Sequence, residues 1–420
     1  MVDLSEIGKR ARISARILSI TPTEQRNNVL RDIGQLLLEK QTNILAANEK
    51  DVENARQQGL SDAMIDRLLI TPSRLEGIVA DIQRVIDLPD PLKEILDEQV
   101  LPNGLQVRKL RVPIGVLGVI YESRPNVTID VSCLALKSGN AVILRGGSET
   151  IESNRALVEI IQVALQKQGL PSQVVQLIES PERRYVLDLL KMPSYVDLII
   201  PRGGAKLHQF CRENSQIPVI VGGIGICHLF VDESADVEKS VEVIFNAKVQ
   251  RPTVCNALDT LLVHRGIAHT ILPKVFEQMS NAGVTFRLDQ SVFELLNLQP
   301  SREYQVAGEG DFDTEWLSLV LGVKIVDNID EAIEHIEQHS TAHSDGILST
   351  SPENIEMFIQ RVDSAAVYVN ASTRFTDGGQ LGLGAEVAVS TQKIHARGPM
   401  GLKELTSYKW VIVGDGHVRR

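Results

Sequence analysis

The sequence predicts an α/β protein with two mostly parallel β-sheets, each covered by helices, and a small additional β-element. From residue 113 to residue 212, apolar strand-like segments alternate with helical segments, and a similar alternation resumes after Asp232. A hairpin signal near residue 103 and a strand-like C-terminal segment lie outside both series. Strand–helix alternation is typical of parallel sheets, because parallel neighbours need a crossover that is usually a helix.

Length, charge and cysteine content narrow the class of protein. A chain of 420 residues can form two or three domains with substantial cores. The net charge of -11 argues against a general nucleic-acid-binding protein, and no apolar run has the length of a membrane span. The start lacks the basic-then-apolar pattern of a signal peptide, and the four cysteines match neither disulfide nor zinc-site spacing. We therefore expect a cytoplasmic protein without a metal site.

The first ninety or so residues are predicted to be helical. Thr21-Pro22-Thr23-Glu24 has the pattern of a helix start, with Thr21 as N-cap and Glu24 completing a capping box. A stripe of apolar residues at helical spacing predicts the buried face that follows: Leu30, Ile33, Leu37, Leu38 and Ile44.

The hairpin signal is Asn103-Gly104, which lies between two partly alternating runs. Two isolated strands are marginally stable in water, so this hairpin should pair with another chain or with the C-terminal segment. The strand predicted at 407–413 is the candidate partner, and a simple local meander is the alternative.

The first α/β series contains two glycine turns that suit a dinucleotide. Its strands are predicted at 115–121, 141–144, 174–177 and 196–200, and its helices at 127–137, 152–168, 183–190 and 203–212. The turns are 145–148 and 202–204, where glycines admit a ligand to the backbone and Arg can pair with phosphate. Neither is G-x-G-x-x-G, and each taken singly is more typical of an ordinary tight turn.

The second series follows a glycine-rich segment, 221–227, interpreted as a domain boundary. Its strands are predicted at 260–263, 323–326, 346–349 and 365–369, and its helices at 237–248, 268–282, 329–338 and 354–362. Residues 377–401 are rich in glycine and polar residues, and we expect an ordered loop that lines a site. His395 in that loop is interpreted as a surface residue.

Cys255 is the candidate nucleophile. It follows a helical segment interrupted by Pro252, where a thiol can meet exposed backbone N–H groups and nearby positive charge. Both lower the pKa of a thiol, and the thiolate is the attacking form. A lone cysteine is as often a small buried hydrophobe, so the residue alone leaves both interpretations open.

Five segments together carry a family resemblance: Glu-Ser-Arg-Pro-Asn-Val-Thr at 122–128, Ile-Pro-Arg-Gly-Gly at 200–204, Gln-Arg-Pro-Thr-Val-Cys-Asn at 250–256, and residues 369–379 and 394–402. By these segments the chain resembles, nearly end to end, the gamma-glutamyl phosphate reductases of the aldehyde dehydrogenase superfamily. The resemblance implies an aldehyde dehydrogenase-like fold with two Rossmann-like domains and a small oligomerisation flap. Residues 1–90 and 111–231 would bind NADP, 232–400 would be catalytic, and 91–110 with 401–420 would form the flap.

The resemblance also implies an activity. NADPH would reduce L-glutamyl 5-phosphate to L-glutamate 5-semialdehyde and phosphate in proline biosynthesis. Glutamate 5-kinase would be the upstream functional partner, because an acyl phosphate is labile in water. The protein would be a homo-oligomer with neither nucleic acid nor membrane as a partner.

The same resemblance assigns candidate site residues. Cys255 would form a thioester, with Asn126 as the amide that stabilises the oxyanion. The glutamyl substrate would contact Arg124, Arg251, Asn370 and Arg374, whose individual roles stay unassigned. The cofactor would contact Arg145, Gly146, Gly147, Ser148, Arg202, Gly203 and Gly204, and Glu315 would hold the nicotinamide ribose unless it is a solvated surface carboxylate.

Two departures from related enzymes refine this hypothesis. Hydrolytic aldehyde dehydrogenases have a Glu that activates water, and the matching segment 219–223 has no carboxylate. Many NAD-linked members have Glu three residues after the basic residue that ends the second strand of the sheet. In this chain the basic residue is Arg145, and Ser148 occupies the position of the Glu. The missing carboxylate leaves room for the 2′-phosphate of NADP beside Arg145. The alternatives are a CoA-acylating or hydrolytic aldehyde dehydrogenase, or a non-catalytic relative that binds the kinase.

Overall fold

The computed structural model describes residues 2–222 and 224–419. The chain divides into two compact units. The first comprises Met1–Val221, Gly382–Ala388 and Met400–Arg420, and the second comprises Gly222–Leu381 and Val389–Pro399. The division falls at Val221 rather than at Asp232, because the strand Cys227–Val231 belongs to the sheet of the second unit.

The elements of both units follow the two predicted series closely. The α-helices are α1 Leu4–Leu18, α2 Thr23–Glu39, α3 Gln41–Gln57, α4 Asp62–Leu68, α5 Pro72–Asp87, α6 Asn126–Lys137, α7 Ile151–Lys167, α8 Arg184–Leu190, α9 Ala205–Asn214, α10 Val237–Val249, α11 Arg265–Asn281, α12 Gln290–Leu296, α13 Ile329–His339 and α14 Pro352–Arg361. The β-strands are β1 Ile95–Val100, β2 Gln106–Pro113, β3 Val116–Tyr121, β4 Ala141–Arg145, β5 Val175–Leu177, β6 Leu198–Arg202, β7 Cys227–Val231, β8 Leu258–His264, β9 Thr285–Leu288, β10 Tyr304–Val306, β11 Val320–Val326, β12 Ser344–Leu348, β13 Ala366–Val369, β14 Ala388–Ser390, β15 Gly398–Met400 and β16 Thr406–Val413.

The helical N-terminal region differs from its prediction at one cap and one residue of the stripe. Helix α2 has Pro22 at its N-cap position, without a side-chain cap. The Thr21 hydroxyl instead donates to the carbonyl oxygen of Ile17 at 2.9 Å, so it satisfies the end of α1, and the predicted capping box is wrong. The predicted apolar stripe is buried except for Leu38, which is 45% exposed.

The sheet of the first unit is parallel, with the strand order β5-β4-β3-β6. Its central strand β3 is buried along its whole length, and it pairs with β4 on one side and β6 on the other. Because parallel neighbours end at the same edge, the turns after β3, β4 and β6 lie side by side at the carboxyl edge. Ligands of open α/β sheets bind at this kind of edge.

The sheet of the second unit is also parallel, with the strand order β10-β9-β11-β8-β7-β12-β13. Strand β7, which was not predicted, is fully buried near the centre, and the short strands β9 and β10 were also missed. Apolar residues of β7, β8 and β11 pack with α10 and α11 in one large core that includes Leu229, Leu261, Ile271 and Val323.

The flap is a three-stranded antiparallel sheet with the order β1-β2-β16. The C-terminal strand therefore pairs with the hairpin, as predicted, and Trp410 lies opposite Lys109. Gly104 in the turn has φ of 92°, a left-handed conformation that glycine adopts at little cost. In the part of the chain that the structure describes, no helix has both the length and the apolar character needed to cross a membrane.

Candidate active site

Cys255 lies in the turn between α10 and β8, at the amino edge of the second sheet. Its side chain is partly exposed, whereas Cys133, Cys211 and Cys227 are at most 1% exposed. The interpretation as a small buried hydrophobe therefore fits the other three cysteines better than it fits Cys255. Accessibility to a substrate is the first requirement for a nucleophile.

The backbone of Cys255 is held from inside the second unit. A Cβ added at Gly225 would lie 1.5 Å from the carbonyl oxygen of Cys255, so only glycine allows this close approach. The Cys227 thiol donates to the same oxygen at 3.2 Å. Burial raises the pKa of Cys227 well above its ordinary value, which keeps it a thiol and therefore a donor. These contacts fix the peptide that carries the candidate nucleophile.

Asn256 connects the turn that contains Cys255 to the segment that follows β13. Its carbonyl oxygen accepts from the Thr373 hydroxyl at 2.7 Å, and its side-chain amide donates to the carbonyl oxygen of Thr376 at 2.9 Å. The guanidinium of Arg374 donates to the side-chain oxygen of Asn256 and, at 2.8 Å, to that of Gln250. Sequence reasoning did not single out Asn256, although it directly follows Cys255 in the third of the five family segments.

Positive charge is concentrated around this turn. Burial lowers the pKa of Arg374, neighbouring Arg251 lowers it further, and the charges of Asp377 and Cys255 oppose the shift. Two guanidinium groups thus influence one another within electrostatic range of the Cys255 sulfur. Such surroundings attract an anionic substrate.

A buried ion pair stands at the base of β8. Lys248 and Asp259 are 0% and 2% exposed, and their charged atoms are 3.2 Å apart. Burial raises the pKa of Asp259 to about 6 and lowers that of Lys248, while the attraction between them opposes both shifts. Asp259 also accepts from the backbone N–H of Trp316 at 3.4 Å, which positions the neighbouring residue Glu315.

Glu315 is partly buried rather than fully solvated. Its carboxylate accepts from the backbone N–H of Gly225 at 3.1 Å, and burial raises its pKa. It therefore contacts Gly225, the glycine that closely approaches the carbonyl oxygen of Cys255.

Asn370 lies away from Cys255. It follows β13 at the carboxyl edge of the second sheet, with φ of 51°, whereas Cys255 precedes β8 at the amino edge. Its side chain accepts from the backbone N–H of Ser349 at 2.9 Å and donates to the carbonyl oxygen of Ser349 at 2.8 Å. The second unit thus brings together Arg251, Arg374 and Cys255 but not Asn370.

In the first unit, Asn126 and Arg124 are both exposed in the turn after β3. Asn126 is the first residue of α6, and its side-chain amide donates to the Asp130 carboxylate at 2.9 Å. Burial raises the pKa of Asp130 to about 6, against the opposing effects of Asn126 and Arg202. The carboxylate orients the amide of Asn126.

The two glycine turns lie at the carboxyl edge of the first sheet. Arg145 is 8% exposed and donates to the carbonyl oxygens of Gly146 and Pro181, both at 2.9 Å. Its buried Nε has no hydrogen-bond partner among the described residues. In the other turn, the backbone N–H of Gly204 donates to the Glu122 carboxylate at 3.3 Å. Ser148 is exposed.

Comparisons with known proteins agree with this architecture. The profile of the aldehyde dehydrogenase family matches residues 2–293. The chain is 55% identical to a gamma-glutamyl phosphate reductase of Roseiflexus castenholzii over the full length of both chains, and 57% identical to one of Vibrio vulnificus over 98% of both.

A solved structure supports the same relationship. The crystal structure of the gamma-glutamyl phosphate reductase from Thermotoga maritima superposes with a TM-score of 0.97, at 46% identity, and the match covers all of both chains. The predicted aldehyde dehydrogenase-like α/β fold is therefore confirmed. The chain belongs to the gamma-glutamyl phosphate reductases, within the aldehyde dehydrogenase family.

Proposed function

We propose that the chain reduces L-glutamyl 5-phosphate with NADPH to L-glutamate 5-semialdehyde and phosphate, in proline biosynthesis. The observation that carries this proposal is the accessible Cys255, fixed through its backbone and placed in the field of Arg251 and Arg374. Relatives at 55–57% identity are named for the same substrate, gamma-glutamyl phosphate.

Cys255 begins the reaction. Its thiolate attacks the acyl carbon, and phosphate departs to leave a thioester on the sulfur. Because phosphate is a good leaving group, the step needs no strong general acid. The oxyanion that forms transiently needs fixed donors, and we propose the backbone N–H of Cys255 and the side-chain amide of Asn126. Removal of one such donor typically costs about 3 kcal/mol of transition-state stabilisation.

The substrate has an anionic group at each end, and the chain offers three arginines for them. Arg374 is braced by Gln250 and Asn256, which suits the fixed recognition of a phosphate or carboxylate. Arg251 and Arg124 are exposed in their turns. We propose that these three arginines share the two anionic ends, whereas the bonds of Asn370 to Ser349 give it a structural role.

The first unit offers groups that fit a dinucleotide phosphate. Arg145, the exposed Ser148 and the start of α9 at Gly204 lie on turns of one sheet edge. We propose that the turns 145–148 and 202–204 bind NADPH and that Glu315 contacts its nicotinamide ribose. When bound, NADPH supplies the hydride that reduces the Cys255 thioester.

The absence of a deacylating carboxylate supports reduction over hydrolysis. The segment 219–223, which matches the position of the water-activating Glu in hydrolytic aldehyde dehydrogenases, contains no acidic residue. Without the water-activating Glu that hydrolytic aldehyde dehydrogenases have in this segment, we propose that the thioester persists until it is reduced. We further propose that the protein is cytoplasmic and forms a homo-oligomer. We propose glutamate 5-kinase as the source of the substrate, because an acyl phosphate is labile in water.

The first test runs the reaction backwards, since the forward substrate decays. Purified protein receives glutamate 5-semialdehyde and NADP, and NADPH absorbance is followed with and without inorganic phosphate. We expect a signal only with phosphate. A signal without phosphate would indicate a hydrolytic dehydrogenase, and a signal only with CoA would indicate a CoA-acylating one.

The second test removes the nucleophile. Cys255→Ser should bind NADPH like the wild type but lose turnover by at least about a thousandfold, because loss of the attacking group removes the covalent route. Cys133→Ala, which changes a buried thiol elsewhere, should keep its turnover. Activity in Cys255→Ser would contradict the mechanism, and an inactive wild-type protein would favour the non-catalytic alternative.

A further inference from the structure

Ser123 has an unusual backbone conformation. It is 7% exposed, is not glycine, and has φ of 47°. Left-handed conformations are uncommon for such residues and persist only where the surroundings hold them. The position matters because Ser123 immediately precedes Arg124 and Pro125, which lead into Asn126 at the start of α6.

The group that holds Ser123 is the carboxylate of Glu149. One oxygen of Glu149 accepts from the backbone N–H of Ser123 at 2.7 Å and from its hydroxyl at 2.8 Å. Hydrogen bonds to a charged acceptor are about twice as strong as neutral ones. A Cβ at Gly147 would lie within 2.4 Å of three atoms of this carboxylate, so glycine leaves the space in which Glu149 folds over its own turn.

Glu149 directly follows the turn 145–148 after β4. Its carboxylate therefore joins the proposed cofactor turn to the turn that presents the proposed substrate and oxyanion residues. The neighbour of Ser123 makes a similar link, since Glu122 accepts from the backbone N–H of Gly204 in the other glycine turn. The turn after the central strand is thus tied to both neighbouring turns.

We propose that Glu149 is a positioning residue that holds Ser123 in its left-handed conformation and thereby couples cofactor binding to the placement of Arg124 and Asn126. This inference rests on the proposed function of those two turns. Glu149 is not required to contact either ligand. When NADPH occupies the turn 145–148, it stabilises the position of Glu149. Through its hydrogen bonds to Ser123, Glu149 then restrains the turn after β3.

Kinetics test the coupling through a rescue. Glu149→Ala should lower kcat of the phosphate-dependent reaction about tenfold, while the Kd of NADPH, from fluorescence titration, changes less than about threefold. Ser123→Gly added to Glu149→Ala should restore kcat at least about threefold, because glycine adopts positive φ without the carboxylate. Glu159→Ala, which removes an exposed carboxylate from the same helix α7, should resemble the wild type.

Hydrogen exchange tests the same coupling without turnover. NADPH should slow amide exchange in the 122–128 peptide of the wild type but not in Glu149→Ala. A double variant no better than Glu149→Ala, or equal protection by NADPH in both proteins, would overturn the inference. So would an NADPH Kd that rises as much as kcat falls. If the wild type lacks phosphate-dependent turnover but shows the exchange difference, the proposed substrate is wrong and the coupling stands.

Discussion

At the residue scale, the backbone of Cys255 is as distinctive as its thiol. Gly225 and Cys227, both outside the motif that contains Cys255, meet its carbonyl oxygen from inside the second unit. Asn256 and Arg374 hold the turn from the other direction. A nucleophile must be placed within fractions of an ångström, so we expect these packing residues to affect catalysis without contacting substrate.

Gly225→Ala tests this argument. The added methyl would meet the Cys255 carbonyl oxygen at 1.5 Å, so the backbone must shift, and we expect kcat to fall by at least about a hundredfold. We would measure kcat in the reverse reaction, with glutamate 5-semialdehyde, NADP and phosphate. Gly77→Ala is the matched control, because nothing lies within 4 Å of its added Cβ. That helical substitution should raise stability by about 0.5–1 kcal/mol and leave turnover unchanged. Wild-type turnover in Gly225→Ala would contradict the argument.

At the scale of elements, helix α10 is connected to strand β8 by charge as well as by apolar packing. Lys248 lies in the last turn of α10, whose other buried residues are mainly apolar. Its partner Asp259 is the second residue of β8. A buried charge without its partner pays a desolvation cost that nothing offsets. The pair therefore fixes how the helix before Cys255 meets the strand after it.

Lys248→Met should destabilise the protein by about 3–5 kcal/mol, because the buried Asp259 then lacks the partner that offsets the cost of its desolvation. The comparison variant is Lys274→Met. Lys274 on α11 pairs with Glu238 on α10, and their side chains are 46% and 77% exposed. That exposed pair should contribute less than about 1 kcal/mol. Denaturant unfolding measures the free energy of unfolding of both variants. Equal losses in the two variants would show that burial does not determine how much an ion pair contributes to stability.

At the scale of the whole molecule, the flap exposes apolar side chains on its strands. Val100 is 69% exposed on β1, and Trp410 and Ile412 are 51% and 62% exposed on β16. A three-stranded sheet with apolar residues in water is a common oligomerisation surface. This distribution supports the proposed homo-oligomer.

Val100→Ser combined with Ile412→Ser should therefore reduce the size of the assembly in sedimentation velocity without unfolding the protein. The reason is that these changes remove apolar area from a surface that contributes little to the core of a single chain. Ile20→Ser, at a residue that is 84% exposed on the helical region, is the control. An assembly of unchanged size in the double variant would place the oligomer contact elsewhere.

Local sequence patterns determined the elements well. Apolar runs, helix periodicity and the Asn103-Gly104 turn depend on neighbouring residues, and they predicted both parallel sheets and the pairing of the C-terminal strand with the hairpin. The exceptions have local causes: Thr21 had two helix ends within reach of its hydroxyl, and the glycines before β7 concealed a buried strand. The family motifs supplied Cys255, the arginines and the glycine turns as candidate site residues.

Only the tertiary structure decided which of these residues meet. Strand order and the course of the loops placed Cys255 at the amino edge of its sheet and Asn370 at the opposite edge. The same factors joined Arg374 to Asn256 and Glu149 to Ser123. Such contacts join residues far apart in sequence, and their geometry depends on the packing of whole elements, which local periodicity and composition do not encode.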